Sequence, residues 1–212
     1  MYAPSHFEES RVDVLHELIR NEPLGLLVTQ GGSGLAANSI PFLVDAGPGP
    51  FGTLRAHVAR ANPVWRDAPD TDSLVVFQGA QAYVSPNWYP SKAATGKAVP
   101  TWNYVMVQAR GRLRIVDDVD WLRTLVSRLT AVHEHGQPKP WTIDEAPPDF
   151  VATMLRAIVG IEIELTALTG KWKVSQNRPA ADRDGVVHGL AVQGHEQALQ
   201  MAELVQGRGG AG

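Results

Sequence analysis

Apolar positions spaced three and four residues apart predict four helices along the chain. The first is expected to begin at the capping residue Ser10 and to end before Pro23. The four predicted helices cover residues 10–21, 118–135, 149–156 and 182–206. The regions between them lack this spacing and are candidates for strands.

Alternating apolar and polar residues between these helices predict about six or seven strands. A glycine-rich turn at residues 31–34 joins the first two as a hairpin, and a further turn is predicted at Gly79. The predicted strand segments are 24–29, 35–44, 53–58, 74–77, 82–84, 109–117 and 158–168. The short turns favour a mainly β protein with helices (α+β), built on an antiparallel sheet that curls or forms a small barrel.

The composition argues against several kinds of chemistry. The 212 residues include no cysteine, which excludes disulfides, iron–sulfur ligation and thiol nucleophiles. Gly32, Gly34 and Ala37 match the dinucleotide pattern G-x-G-x-x-A, but β-type residues follow where that motif must open a helix. The chain carries no hydrolase motif, and His133 and His135 are two apart on a predicted helix, so no metal site is expected.

Size and charge predict an ordinary globular protein. We expect one domain over residues 1–206 and a disordered tail over residues 207–212. The formal net charge of -3 gives no general attraction for DNA, so a DNA partner would need a local basic patch. The sequence shows neither a signal peptide nor a membrane span, and a cytoplasmic protein without a membrane partner is therefore the expectation.

A long aromatic segment runs from Phe77 to Tyr104. It contains Trp88, Tyr89 and Trp102, and its prolines and glycines predict a loop over much of its length. Long loops inside compact domains are usually functional or disordered, and large aromatic rings argue against disorder. A surface loop that is only held down by its aromatic side chains is the alternative.

One candidate anion site lies where a strand leads into a short helix. The strand alternation places Arg55 and His57 on one side, and Asn62 and Pro63 are well suited to begin a helix. Free N–H groups at a helix start, next to basic side chains, favour an anion. The alternative is that Arg55 and His57 only face solvent.

A second polar segment, from Gly170 to Arg178, combines two lysines and an arginine with hydrogen-bonding side chains. Such a set suits a phosphate and a planar polar ring, although a solvated basic loop is equally compatible with it. Flavin mononucleotide (FMN) requires both kinds of contact, because it carries a phosphate at one end and an isoalloxazine ring at the other.

Several motifs resemble those of the PaiB family and extend over most of the chain. They are Met1-Tyr2-x-Pro4-x-His6-Phe7, Ile40-Pro41-Phe42, His57-Val58-Ala59-Arg60-Ala61-Asn62-Pro63, Tyr83-Val84-Ser85-Pro86-x-Trp88-Tyr89, Val99-Pro100-Thr101-Trp102-Asn103-Tyr104 and Lys173-x-Ser175-Gln176-Asn177-Arg178. The resemblance implies an FMN-binding split β-barrel with flanking helices, related to the pyridoxamine-phosphate-oxidase-like flavoproteins. It also implies a homodimer with FMN at the subunit interface.

The resemblance further implies which residues bind FMN. The expected contacts are Ile40, Pro41, Phe42, Arg55, His57, Arg60, Asn62, Pro63, Trp102, Asn103, Tyr104, Lys173, Ser175, Gln176 and Asn177. Members are described as negative transcriptional regulators, which makes a flavin-linked repressor the expected function. An FMN-dependent oxidoreductase is the alternative, because no residue is marked as a catalytic acid or base and no DNA-binding motif is present.

Overall fold

The computed structural model describes residues 1–47, 49–68 and 70–207, which form one mainly antiparallel sheet and seven helices. The strands are β1 (Glu8–Glu9), β2 (Leu24–Gly31), β3 (Gly34–Pro41), β4 (Leu43–Asp45), β5 (Thr53–Ala59), β6 (Asp72–Val84), β7 (Thr101–Val116) and β8 (Ile158–Lys173). The helices are α1 (Val12–Asn21), α2 (Val64–Asp67), α3 (Pro90–Thr95), α4 (Val119–Glu134), α5 (Pro148–Arg156), α6 (Ala180–Gln193) and α7 (Glu196–Gly207).

The strand order is β3-β2-β6-β7-β8-β5-β4, and β1 pairs with β8. The pairs of β2 with β3 and β6, of β5 with β4 and β8, and of β1 with β8 are all antiparallel. This order confirms the predicted fold class, and it leaves the sheet open between β3 and β4. Among the described helices, none combines the length and apolar character needed to cross a membrane.

The turn predicted at Gly79 is wrong, because β6 continues without a break from Asp72 to Val84. A Cβ at position 79 would lie 2.8 Å from Val105 Cγ2 and 3.2 Å from Leu18 Cδ1. The glycine therefore permits close packing inside a strand, which a local interpretation of the sequence mistakes for a turn.

The predicted C-terminal helix over residues 182–206 is also wrong in detail. The structure has two helices there, and Gly194 ends α6 in the left-handed conformation with φ +69°. A glycine at this position is a common helix stop, since it adopts positive φ without steric cost. Most of the predicted disordered tail, residues 208–212, lies outside the described residues.

The contacts divide the chain into two compact units. Unit 1 comprises residues 1–18, 78–107 and the described residues from 169 onward, and unit 2 comprises residues 19–77 and 108–168. In unit 2, helices α4 and α5 bury one apolar cluster made of Leu122, Ile143, Val151 and Leu155. In unit 1, helices α6 and α7 bury Val186, Leu190, Ala198, Met201 and Val205.

Unit 1 contains most of the aromatic segment that the sequence predicts as a loop. The segment is ordered by a short 3-10 turn (Pro86–Trp88) and by α3. The buried carboxylate of Asp182, on α6, accepts hydrogen bonds from the backbone N–H of Ser91 at 3.0 Å and from its hydroxyl at 2.7 Å. These bonds fix the start of α3 against α6.

Candidate functional site

Arg55, in unit 2, is held by two carboxylates. Its Nε donates to Glu162 Oε2 at 2.8 Å, and its Nη1 donates to Asp45 Oδ2. Asp45 also accepts two hydrogen bonds from Arg128, at 3.1 and 2.5 Å. The hydrogen bonds from Arg128, together with the positive charges of Arg128 and Arg55, lower the pKa of Asp45 below its ordinary value. The positive charge of Arg55 is therefore neutralised within the fold.

Arg60, at the end of β5, is likewise engaged by its own unit. Its Nη1 and Nη2 donate to the two carboxylate oxygens of Asp117 at 2.8 and 2.5 Å, a bidentate geometry. Its Nε donates to the carbonyl of Arg156 at 2.8 Å, and Nη2 also donates to the carbonyl of Ile158 at 3.0 Å. These bonds tie the end of β5 to the segment that leads into β8.

His57 and Asn62 differ in how their polar atoms are satisfied. His57 Nδ1 is buried without a hydrogen-bond partner in the described structure, and burial lowers the pKa of the imidazole. Asn62 donates from Nδ2 to Asn38 Oδ1 at 2.9 Å and accepts from the Val64 N–H at 3.0 Å. Helix α2 begins after Pro63 but has only four residues, so its dipole is weak.

The Ile40-Pro41-Phe42 motif lies at the end of β3 and mostly faces the core. Ile40 and Phe42 are buried, and Phe42 meets Phe77 edge to face with ring centroids 5.8 Å apart. Pro41 is exposed, opposite Leu24 in the register of β2 and β3. An open cleft of about 490 Å³ between β3 and α2 is lined in part by Asn38, Ala61, Asn62, Pro63 and Val64.

Unit 1 carries a different arrangement, which we name the basic–aromatic face. It consists of Tyr83 on β6, Trp102 and Tyr104 on β7, and Lys171 and Lys173 on β8. Trp102 and Tyr83 meet edge to face with ring centroids 6.1 Å apart. Trp102 is 54% exposed and Tyr83 is 42% exposed, so both rings remain accessible to a ligand.

Among the described residues, the contacts of the two lysines of this face are with neutral groups. Lys173 Nζ donates to Thr101 Oγ1 and to the carbonyl of Trp102. Lys171 Nζ donates to the carbonyl of Tyr2 at 3.1 Å and lies 5.2 Å from the centroid of the Tyr104 ring. Burial lowers the pKa of Lys173, and the positive charges of Lys171 and Arg178 lower it further.

Arg178 extends this positive charge beyond β8. Its guanidinium carbon lies 4.8 Å from the centroid of the Tyr89 ring. The Tyr89 hydroxyl is buried, and burial raises its pKa. In the part of the chain that the structure describes, no carboxylate forms a salt bridge with Lys171, Lys173 or Arg178.

Three of the predicted site residues form hydrogen bonds within the fold, two of them in the turn after β8 and one on β7. Asn103 and Ser175 are both buried, and Asn103 Nδ2 donates to Ser175 Oγ at 2.9 Å. Gln176 accepts from the Val174 N–H at 2.8 Å and donates to the carbonyl of Trp172 at 2.5 Å. Asn177 follows as an exposed residue. Lys171 and Arg178 were not among the predicted site residues, although both belong to the basic segment noted in the sequence.

A family model described as "Putative FMN-binding domain" matches residues 1–167 of the chain. An uncharacterized protein of Emericella nidulans is 34% identical, with 99% of this chain and 98% of that protein covered. The Bacillus subtilis "Protease synthase and sporulation protein PAI 2" is 29% identical, with 97% of each chain covered.

Solved structures share the fold at low sequence identity. A conserved hypothetical protein from Mycobacterium tuberculosis superposes with a TM-score of 0.57 and 13% identity, with 84% of this chain and 94% of that chain covered. The FAD and heme binding protein from Mycobacterium smegmatis gives a TM-score of 0.56 at 15% identity, with 78% and 73% covered. These likenesses concern the fold alone.

Proposed function

The chain belongs to the PaiB family of FMN-binding proteins, and from this premise we propose that it is a flavin-linked negative transcriptional regulator that works as a homodimer. FMN is its cofactor. The Bacillus subtilis relative is named for protease synthesis and sporulation. Control of such cellular programmes suits a regulator better than an enzyme that converts one metabolite.

The residues of the basic–aromatic face fit FMN. The cofactor combines a doubly charged phosphate with a planar ring. Beside its exposed aromatic rings, the face has the ammonium group of Lys173 and the more deeply buried one of Lys171, neither of which forms a salt bridge with a carboxylate among the described residues. When bound, FMN supplies reversible electron transfer. The chain's part is to bind and orient it: Lys171 and Lys173 supply positive charge, and Trp102 and Tyr83 supply apolar ring surface.

A visible spectrum of the purified protein tests this assignment. Bound flavin gives absorption bands in the visible region that the polypeptide lacks, so we expect either a yellow protein or one that turns yellow with excess FMN. A protein that stays colourless after removal of free FMN would refute the cofactor assignment, and with it the flavin-linked function.

The homodimer is supported by an apolar outer face on unit 2. Leu24 and Leu26 on β2 and Leu35 on β3 are 65%, 40% and 76% exposed, on neighbouring antiparallel strands. Apolar residues grouped in this way on a sheet face suit burial against a second copy. Leu26→Glu should shift the protein toward monomer in analytical ultracentrifugation. Leu199→Glu, at a 43% exposed leucine on α7, is the matched control.

The observation that favours DNA binding is a row of exposed arginines on β7. Arg110, Arg112 and Arg114 are two residues apart and share the outer side of the strand in unit 2. Among them, Arg112 forms an ion pair with Asp70, at 3.7 Å between two exposed side chains, and such a pair contributes little. Arginines with this spacing can contact successive backbone phosphates.

The test is binding to the promoter of the protein's own operon at rising salt concentration. A contact with several phosphates weakens steeply with salt, and a regulator retains a preference for its promoter over random duplex. Replacing the three arginines by glutamine should reduce both the affinity and its salt dependence. Equal binding to every duplex would rule out the regulator and leave a flavoprotein of another function.

An FMN-dependent oxidoreductase is the second candidate, favoured by the accessibility of Trp102 and Tyr83. Exposed rings beside a cofactor leave room for a second small molecule. Under anaerobic conditions, NADH or NADPH should then bleach the bound flavin rapidly. If neither NADH nor NADPH bleaches the flavin, an oxidoreductase activity that uses these nicotinamide cofactors is excluded.

A further inference from the structure

A small pocket in unit 2 lies beside the last turn of α1, strand β4 and the last turns of α4. Its volume is about 250 Å³. The residues that line it are Arg20, Pro23, Phe42, Leu43, Val44, Arg128, Val132 and His133. The lining combines apolar side chains with basic ones, and no carboxylate of the described residues belongs to it.

The apolar part of the pocket reaches from the surface to the core. Phe42 and Leu43 are buried, whereas Val132 on α4 is 53% exposed. Pro23 and Val44 are half-buried between these extremes. Apolar surface in contact with water is unfavourable, so a ligand that covers these side chains gains free energy.

The positive charge at the pocket comes mainly from Arg20. In the part of the chain that the structure describes, Arg20 is exposed and forms no salt bridge. Arg128, by contrast, donates from Nη1 and Nη2 to the carboxylate of Asp45 at 3.1 and 2.5 Å. Because Asp45 balances Arg128, the guanidinium that remains available for a ligand is that of Arg20.

We propose that this pocket binds a small apolar carboxylate, with its carboxylate group on Arg20 and its apolar part against Phe42 and Leu43. A guanidinium recognises a carboxylate through two parallel N–H···O bonds. Pockets for drug-sized ligands measure about 300–1,000 Å³, so the smaller volume here suits a single ring or a chain of a few carbons. The proposal goes beyond the flavin-linked function, because no residue of the basic–aromatic face lines this pocket.

The alternative is a purely structural role for the basic residues. Arg20 lies in the last turn of α1 and His133 in the last turn of α4, where positive groups offset the partial negative charge of a helix end. That role does not require an apolar pocket beside them. It also means that the helix ends repel an anion, so a bound carboxylate depends on direct contact with Arg20.

The experiment uses three probes that separate charge from apolar surface. Benzoate has both, benzyl alcohol has the ring without the charge, and acetate has the charge without the ring. Each is titrated by calorimetry into the full-length protein with FMN in excess, so that a flavin site is already occupied. We expect benzoate to bind, and benzyl alcohol and acetate to bind at least about tenfold more weakly, because each lacks one of the two contacts.

Two variants locate the site. Arg20→Gln should weaken benzoate by roughly tenfold to a hundredfold, the effect of a lost charge-assisted hydrogen bond. Val132→Trp, at an exposed position on α4, should block the pocket and weaken benzoate as well. Arg156→Gln, at an exposed arginine on α5, is the matched control and should bind benzoate like the parent protein.

Three results would overturn the proposal. One is the absence of benzoate binding at millimolar concentrations. Another is equal binding of benzyl alcohol and benzoate, which would show that no carboxylate is recognised. The third is benzoate binding that neither Arg20→Gln nor Val132→Trp weakens, which would place the ligand elsewhere. None of these results bears on the cofactor, which the visible spectrum tests separately.

Discussion

Gly189, on α6, lies directly against the indole ring of Trp88. A Cβ at position 189 would come within 2.3 Å of Trp88 Cδ2, and one at Gly185 would come within 1.9 Å of the Trp88 carbonyl oxygen. The two glycines are four residues apart and so lie on one face of the helix. They form a groove that receives the aromatic segment at Trp88, which explains how this segment is ordered.

Gly189→Ala should therefore destabilise the protein, although alanine is the better helix former. The gain in helix propensity is about 1 kcal/mol, whereas forcing a methyl group into a packed contact costs about 1–3 kcal/mol. The bulky indole of Trp88 is already packed against the helix backbone at this position. We therefore expect the packing cost to exceed the gain in helix propensity. Denaturant unfolding should show a lower free energy of unfolding. Gly207→Ala, where a Cβ would have no neighbour within 4 Å among the described residues, should not lower it. A Gly189→Ala variant as stable as the parent would show that Trp88 moves aside easily.

The sequence predicts most strands and helices because their periodicity is local. One of its errors falls on a glycine whose role depends on distant residues. The turn predicted at Gly79 fails because the neighbours Val105 and Leu18 cannot be known from residues 74–84. From local spacing, Gly185 is expected only to weaken a helix. Its packing against Trp88 is not visible in that spacing, because the contact joins segments far apart along the chain. Helical and strand spacing carry no information about such contacts.

In the candidate site, too, the sequence shows what is local and misses what depends on distant residues. The sequence identifies the basic and aromatic character of the segment from Gly170 to Arg178, because composition is visible locally. It does not show that Arg55 is paired with Glu162, which lies 107 positions away. Whether a cation is balanced by a carboxylate depends on the strand register between β5 and β8. Charge pairing, rather than charge itself, distinguishes Arg55 and Arg60, which form salt bridges, from Lys171 and Lys173.

Ser175 adopts positive φ, +63°, while its hydroxyl accepts a hydrogen bond from Asn103. Ser175→Ala and Ser175→Gly both remove the hydroxyl, and the lost hydrogen bond costs each about 1–3 kcal/mol, so Ser175→Ala should be less stable than the parent protein by that amount. The two variants differ in the backbone, because glycine adopts positive φ without the penalty of about 1–2 kcal/mol that a Cβ brings. We expect the glycine variant to be the more stable of the two in thermal unfolding. The reverse order would mean that residue 175 leaves positive φ once the hydrogen bond is lost.

His57 should make stability depend on pH. Burial lowers the pKa of the folded imidazole below its ordinary value of 6.5, so the unfolded chain binds this proton more readily than the folded one. The contribution of His57 to the free energy of unfolding is therefore complete above pH 6.5 and is lost as the pH drops through the folded pKa. The loss is about 1.4 kcal/mol for each unit by which folding lowers the pKa of His57. His57→Gln should lose less stability than the parent between pH 7.5 and pH 5. His135→Gln, at an exposed histidine, should keep the parent's pH dependence.

Arg55→Gln should damage the fold rather than flavin binding. The substitution leaves Glu162 without its partner on β5 and leaves Asp45 with Arg128 alone. Loss of one partner from such a half-buried pair costs about 1–3 kcal/mol. Chemical denaturation should show this loss, while the affinity for FMN, followed by flavin fluorescence, should stay close to that of the parent protein. A variant of normal stability with weakened FMN binding would instead return Arg55 to the phosphate site.

Trp102→Ala should weaken FMN more than it weakens the fold. The side chain is 54% exposed and meets Tyr83 only edge to face, so its removal opens no cavity in the core. A stacked aromatic contact with a planar ligand is worth about 1–3 kcal/mol, which corresponds to roughly a tenfold to hundredfold loss of affinity. Fluorescence titration and thermal unfolding of the same samples separate the two effects. Trp141→Ala, at a 44% exposed tryptophan in unit 2, is the matched control and should retain FMN affinity. Equal losses of flavin affinity and stability in Trp102→Ala would show that this residue supports the sheet and does not contact the cofactor.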